Sequence, residues 1–394
     1  MTVARARERR AQPRDSPADN DDAHPVTVLS AAVGSRVIDA DGHVLEPLDR
    51  FPELNTTRDS IGLDHVYAGN QEIVTVSLGK LGTPGSNMAD LAHSPRYENA
   101  QPGGFDPKVR LVDMDTEGID AAVLFPSLGL NFWAIDDPDI AISLARAYND
   151  WLAEYCAAAP TRLFGAAMVP WQSVDASVAE LRRAHDELGF RAAFLRPNPC
   201  VGRTIAHPSH DAFWEAAEAL DMTVGIHEGS SNTVATLAAD RKPFNPLILH
   251  ATSHAFEQML ACAQLIATGV LEHHPSLQFA FLEAGGGWAP YWLWRLDEQV
   301  EGFGGYCPEM KLAPSEYFAR QCWVSFEIDE PSLPALLPIV GAERVIWGSD
   351  YPHHDATFPG AVDKLRRTIA PCTEADQARV LGTNALDCYR LELA

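Results

Sequence analysis

Eight short, almost wholly apolar runs recur along this chain, most of them followed by a stretch with helical spacing. That alternation restricts the fold more than any other feature. The first run is carried by Val37 and Ile38, and the others fall at 121–125, 163–170, 191–196, 222–227, 277–283, 322–328 and 344–350. Helical patterns lie at 107–115, 140–159, 173–188, 210–220, 255–272, 289–300 and 332–340, with two more, 358–369 and 373–391, closing the chain. Runs that are apolar on both faces belong to a parallel sheet covered on both sides. Eight such units predict an α/β fold, a (β/α)8 TIM barrel, with a long insertion after the first strand and additional C-terminal helices. The insertion, 46–106, is rich in Gly, Pro, Asn and Ser and reads as a functional loop or lid. A doubly wound open sheet is the alternative, but the first turn lacks G-x-G-x-x-G.

In such a barrel the chemistry sits at the C-terminal strand ends. Here those ends carry Asp41 and His43, Arg196, His227-Glu228, Glu283, Glu327-Ile328-Asp329 and Asp350. Asp41 and His43 stand at i and i+2, which puts them on one face of a strand. Unpaired ionisable groups buried together would cost several kcal/mol each, and a divalent cation removes that cost. Imidazole with carboxylate suits one Zn²⁺ or Mn²⁺ ion rather than Mg²⁺. With Asp41 and Asp350 both bound, a third carboxylate overcompensates a dication, so Glu283 reads as a ligand or a proton shuttle.

The formal net charge of −24 argues against nucleic acid and anionic membranes as partners and for a small-molecule substrate. No window approaches eighteen consecutive apolar residues, so no membrane span is expected. Seven scattered cysteines without a C-x-x-C pair suggest reduced thiols and a cytoplasmic location. Residues 1–33, Arg-, Asp-, Ala- and Pro-rich without periodicity, are expected to be a disordered tail, leaving 34–394 as the barrel domain.

Several motifs together resemble the amidohydrolase superfamily, in its branch related to aminocarboxymuconate-semialdehyde decarboxylase (ACMSD-like). They are Asp39-Ala40-Asp41-Gly42-His43 with Glu46-Pro47, Arg196-Pro197, Gly225-Ile226-His227, Phe281-Leu282-Glu283-Ala284-Gly285-Gly286-Gly287, Trp347-Gly348-Ser349-Asp350-Tyr351-Pro352 and Gly382-Thr383-Asn384-Ala385. The resemblance implies Asp41, His43, His227 and Asp350 as metal ligands, catalytic roles for Asp350, Glu283 and His227, and a homodimer. Two positions depart from the pattern. Many relatives carry His-x-His or Glu-x-His on the first strand, where this chain has Asp-x-His. Many decarboxylases of the branch place a catalytic His on strand six, where this chain has Glu283.

The remaining candidates are substrate contacts. Arg196 suits a carboxylate, or a salt bridge closing the barrel mouth. His254, just before the expected fifth helix, reads more simply as a surface or capping residue. Of His353 and His354 at most one points inward, and Glu46 either reaches the substrate or orients its loop. Trp288 is the aromatic placed to line a pocket, and Glu327 either fills the barrel or faces the site. Three functions are consistent with these residues. The first is metal-dependent decarboxylation of a small aromatic or unsaturated carboxylate. The second is metal-dependent hydrolysis of an amide, lactone or C–C bond by ion-activated water. The third is a non-catalytic ligand-binding barrel.

Overall fold

The computed structural model describes residues 36–86, 97, 99–229, 231–237 and 245–393; the tail expected at 1–33 lies outside them. Eight strands form one parallel sheet in the order β1 (Ile38–His43), β5 (Ala121–Phe125), β6 (Leu163–Met168), β7 (Ala192–Leu195), β8 (Thr223–His227), β9 (Phe279–Leu282), β10 (Cys322–Phe326) and β11 (Val345–Trp347). Every residue of these strands is buried except Phe164, which is half-buried, as expected for a sheet wrapped by helices. Where β11 meets β1, Asp350 N–H donates to Asp41 O (3.2 Å) and His43 N–H to Tyr351 O (2.7 Å). The result is a nearly closed (β/α)8 barrel.

That seam needs two glycines. A Cβ on Gly348 would lie 2.5 Å from Asp41 Cβ, and one on Gly42 would lie 2.5 Å from Arg110 Nη2. Gly348 lets β11 approach β1 closely at the end that carries the ionisable groups, and Gly42 leaves room there for the Arg110 guanidinium and the Asp39 carboxylate. The β1–β5 register also shifts between Asp39 and Gly42, a bulge that re-aims this strand end.

Three expectations need correction. The insertion is not structureless, because it holds a three-stranded antiparallel sheet, β2 (Leu54–Arg58), β3 (Asp64–Ala68) and β4 (Gln71–Val76). Its hairpins turn at Gly62 (φ +93°) and Gly69 (φ +58°), and Asp59 Oδ1 accepts from Ile61 and Leu63 N–H. The fifth long helix begins nine residues earlier than expected and spans Pro246–Ala267. Asn245 caps it by accepting from Leu247 N–H (3.0 Å), and Pro246 occupies the first helical position. The last helical stretch is not continuous: Glu374–Ala378 and Asn384–Tyr389 are joined by a π-helical turn, Arg379–Thr383.

Candidate metal centre

The ends of β1 and β8 bring Asp41, His43 and His227 to one point, and Asp350, past the end of β11, meets that cluster at His43. His227 Nε2 lies 3.1 Å from His43 Nε2 and 3.3 Å from Asp41 Oδ1. His43 Nε2 is 3.8 Å from Asp41 Oδ1 and 3.4 Å from Asp350 Oδ1. These spacings match the edges of a coordination polyhedron whose ligands sit about 2.0–2.2 Å from a shared ion.

Two observations test whether these donors fit a cation. Asp41 Oδ1 is buried and accepts no hydrogen bond from the described residues. His43 Nδ1–H donates to the Pro126 carbonyl (2.9 Å), so its Nε2 presents a lone pair toward His227. Burial, reinforced by the rings of His353 and His227, holds the His43 pKa well below its ordinary value, so the ring is a neutral donor. Burial, with Glu283 and Asp355 alongside, pushes the Asp350 carboxyl well above the usual range. A positive charge among these groups would relieve both the orphaned oxygen and the carboxylate repulsion. The donor set therefore fits a divalent ion.

Neighbouring residues hold the ligands in place. Asp39, buried behind Asp41, accepts from Ser349 N–H (2.9 Å) and Oγ–H (2.6 Å), while Arg110 Nη2 stands 3.5 Å away. Arg110 also donates to His43 O (2.9 Å). His353 lies 4.1 Å from His43, ring to ring, with Nδ1 2.5 Å from Asp350 Oδ1 and Nε2 2.7 Å from Ser127 Oγ. Ser127 spends its own hydrogen on Val44 O, so at His353 its hydroxyl accepts and Nε2 carries the proton. The 2.5 Å Asp350–His353 contact thus shares one further proton. Glu283 and Asp350 both adopt left-handed backbone, at φ +56° and +53°, a cost of about 1–3 kcal/mol each that aims these carboxylates into the mouth.

Glu283, His254, Trp288, Glu327 and Asp350 line one cavity of about 550 Å³. Glu283 Oε2 is 3.8 Å from His227 Nε2, and burial among carboxylates raises its pKa well above the ordinary value. Glu327 is raised to about 7, chiefly by burial. His254 is not a surface residue. It lies on the inner side of helix Pro246–Ala267 and is 6% exposed.

Two candidates are turned away from substrate. Arg196 is fully buried against Glu228 (2.9 Å) and donates to Asn198 Oδ1, Leu130 O and Gly229 O, so four of its five N–H groups are taken. Glu46 is fully buried and accepts from the N–H groups of Ser127 (3.1 Å), Leu128 (2.9 Å) and Gly129 (2.8 Å). It anchors the loop after β5.

Sequence reasoning missed His250 and Asp355, which face the same cavity with His250 Nε2 3.5 Å from Asp355 Oδ2. The i, i+4 spacing of His250 and His254 takes its meaning from a helix that begins at Pro246, ahead of the apolar periodicity.

Residues 38–391 match the amidohydrolase family. The chain is 31% identical to the γ-resorcylate decarboxylase of Rhodococcus jostii, over 72% of this chain and 87% of that one. It is 29% identical to the 2-amino-3-carboxymuconate-6-semialdehyde decarboxylase of Dictyostelium discoideum, over 73% and 77%. Its fold is similar to that of a dihydroxybenzoic acid decarboxylase from Polaromonas sp. bearing manganese and the inhibitor 2-nitroresorcinol. That match has a TM-score of 0.61 and 26% identity, covering 73% of this chain and 86% of that one. With a match that spans the whole barrel, the chain belongs to the amidohydrolase family and is a metal-dependent enzyme of that family.

Proposed function

We propose that this enzyme is a carboxy-lyase that removes CO₂ from a small aromatic carboxylate, with Asp41, His43, His227 and Asp350 holding the divalent ion. The observation that carries this reading is the 3.1–3.8 Å spacing of the Asp41, His43 and His227 ligand atoms, with Asp350 Oδ1 3.4 Å from His43 Nε2. The named decarboxylases among its relatives support the reaction class. When bound, the ion supplies positive charge to the substrate carboxylate and to an oxygen beside it. Zn²⁺ and Mn²⁺ both suit two imidazoles with two carboxylates, and the manganese of the Polaromonas enzyme supports Mn²⁺.

Trp288, on the cavity wall, offers a face for an aromatic ring. Asp350 gives its proton to the ring carbon that bears the carboxylate, forming a C–H bond. The C–CO₂ bond then breaks, its electron pair returns to the ring and CO₂ leaves. His353 Nδ1, 2.5 Å from Asp350 Oδ1, holds the alternate position of that proton, and a new proton taken up from water replaces it for the next turnover. Arg196 is not assigned to the substrate, because Glu228 already neutralises it.

A reducing, cytoplasmic setting is supported by seven cysteines that are all unpaired. No described helix is long and apolar enough to cross a membrane. Exposed Phe256 and Leu260 on one helix, and Tyr291 and Trp294 on another, support pairing with a second copy of the chain.

Turnover of hydroxybenzoates in D₂O tests the reaction. Carboxy-lyase chemistry places one deuterium at the vacated carbon and releases CO₂. Solvent oxygen, traced with H₂¹⁸O, entering the organic product would instead establish hydrolysis.

A further inference from the structure

We infer that His250, His254 and Glu283 form a second divalent-cation site beside the first, with Glu283 shared between the two. His250 and His254 lie at i, i+4 on helix Pro246–Ala267, hence on one face, and their rings stack with centroids 4.1 Å apart. His254 Nδ1–H donates to the His250 carbonyl (2.9 Å), so Nε2 is the nitrogen left to bind. One ligand atom from each of His250, His254 and Glu283 lies within 4.8 Å of the others. Two imidazoles and a carboxylate form a donor set suited to Zn²⁺ or Mn²⁺, and a poor one for Mg²⁺.

The charge of the cavity is an independent reason. Its walls carry six carboxylates, Glu283, Glu327, Asp329, Glu330, Asp350 and Asp355, against one lysine, Lys364. That lysine is already paired with Asp329 at 2.7 Å. With one lysine among these described walls, an anionic substrate finds little positive charge beyond that of a single dication at the inner corner. A second cation at the His250–His254 face would stand at the solvent-facing side of the cavity, where the His250 side chain is 44% exposed. Glu283 Oε2, 3.8 Å from His227 Nε2, reaches toward both centres, and a bridging role accounts for a carboxylate at this strand end.

The cluster stands on its own residues; only the sharing of Glu283 rests on the first centre. The test strips the purified protein of metal, reloads it with Mn²⁺, and measures metal per chain by mass spectrometry alongside the Mn²⁺ EPR spectrum. The expected result is about two ions per wild-type chain, with an exchange-coupled signal. His254→Ala should fall to about one ion with the coupling lost, and so should His250→Ala, whose half-exposed side chain makes unfolding no explanation. His227→Ala retaining the outer ion would support this site even if the inner assignment failed. A single ion in the wild type, unchanged in His250→Ala and His254→Ala, would overturn the inference.

Discussion

Two walls of the barrel mouth bury ionisable groups at strand ends, and they handle charge in opposite ways. At the β7–β8 wall, Arg196 and Glu228 are both fully buried and neutralise each other at 2.9 Å, with Asn198, Leu130 and Gly229 accepting three more of the Arg196 N–H groups, although Glu228 Oε1 accepts no hydrogen bond from the described residues. At the β1–β11 corner, Asp41 Oδ1 has no hydrogen-bond donor among the described residues, His43 offers a lone pair toward His227, and Asp350 is pressed toward its protonated form. Burial alone therefore does not mark function. What separates the corner from the wall is unfinished neutralisation, and an added cation completes it.

The comparison can be broken most sharply at Asp350. Asp350→Asn keeps the shape but removes the acid, and kcat should fall by about 10²–10⁴-fold with an unchanged circular dichroism spectrum. Undiminished turnover would erase the distinction between the two regions. Arg196→Met should act on stability instead, costing about 3–5 kcal/mol in denaturant titrations because Glu228 is left buried and unpaired. The double variant Arg196→Met/Glu228→Gln should regain most of that loss, and neither should change metal content. His227→Ala should do the reverse, weakening metal affinity by more than about 100-fold, read by competition with a chelator, with little loss of stability when metal is absent.

A smaller effect separates a buried histidine that serves packing from those at the corner. His210 lies under Trp171 (ring centroids 4.2 Å apart), and its Nε2 has no partner among the described residues. Burial lowers its pKa to about 4. The unfolded chain binds this proton from about pH 6.5 downward and the folded chain does not, so stability is full above pH 6.5 and is lost as pH falls toward 4. His210→Phe should flatten that slope, by about 3 kcal/mol at most, in stability measured across this range. Smallest is Glu46→Gln, which keeps the Oε1 acceptor for Ser127 and Gly129 but turns an amide NH2 toward Leu128 N–H, and should cost about 1–2 kcal/mol with kcat nearly unchanged.

Much of this was legible in the sequence, for identifiable reasons. Parallel strands buried on both faces read as unbroken apolar runs, so the eight barrel strands stood out, and the ends of β1, β8 and β11 pointed to Asp41, His43, His227 and Asp350. The insertion strands are obscured because each is short and half-solvated, and their turn signals, Asp59 to Gly62 and Gly69-Asn70, lie in a stretch rich in Gly, Pro, Asn and Ser throughout. Asn245-Pro246 is the helix start signal, an Asn cap followed by Pro, and it alone brings His250 and His254 onto one helix face. Arg196 illustrates a harder case. Its type and position suited a substrate carboxylate, but whether Glu228 lay within 2.9 Å depended on how β7 and β8 pair. Glu46 is similar, since its three N–H partners come from a loop some eighty residues away.

The most direct test of the account is an anomalous-scattering map from crystals of the manganese-loaded protein. It should show a strong peak about 2.0–2.3 Å from Asp41 Oδ1, His43 Nε2, His227 Nε2 and an Asp350 carboxylate oxygen. A map with no peak among these four side chains, in protein that retains bound manganese, would contradict it.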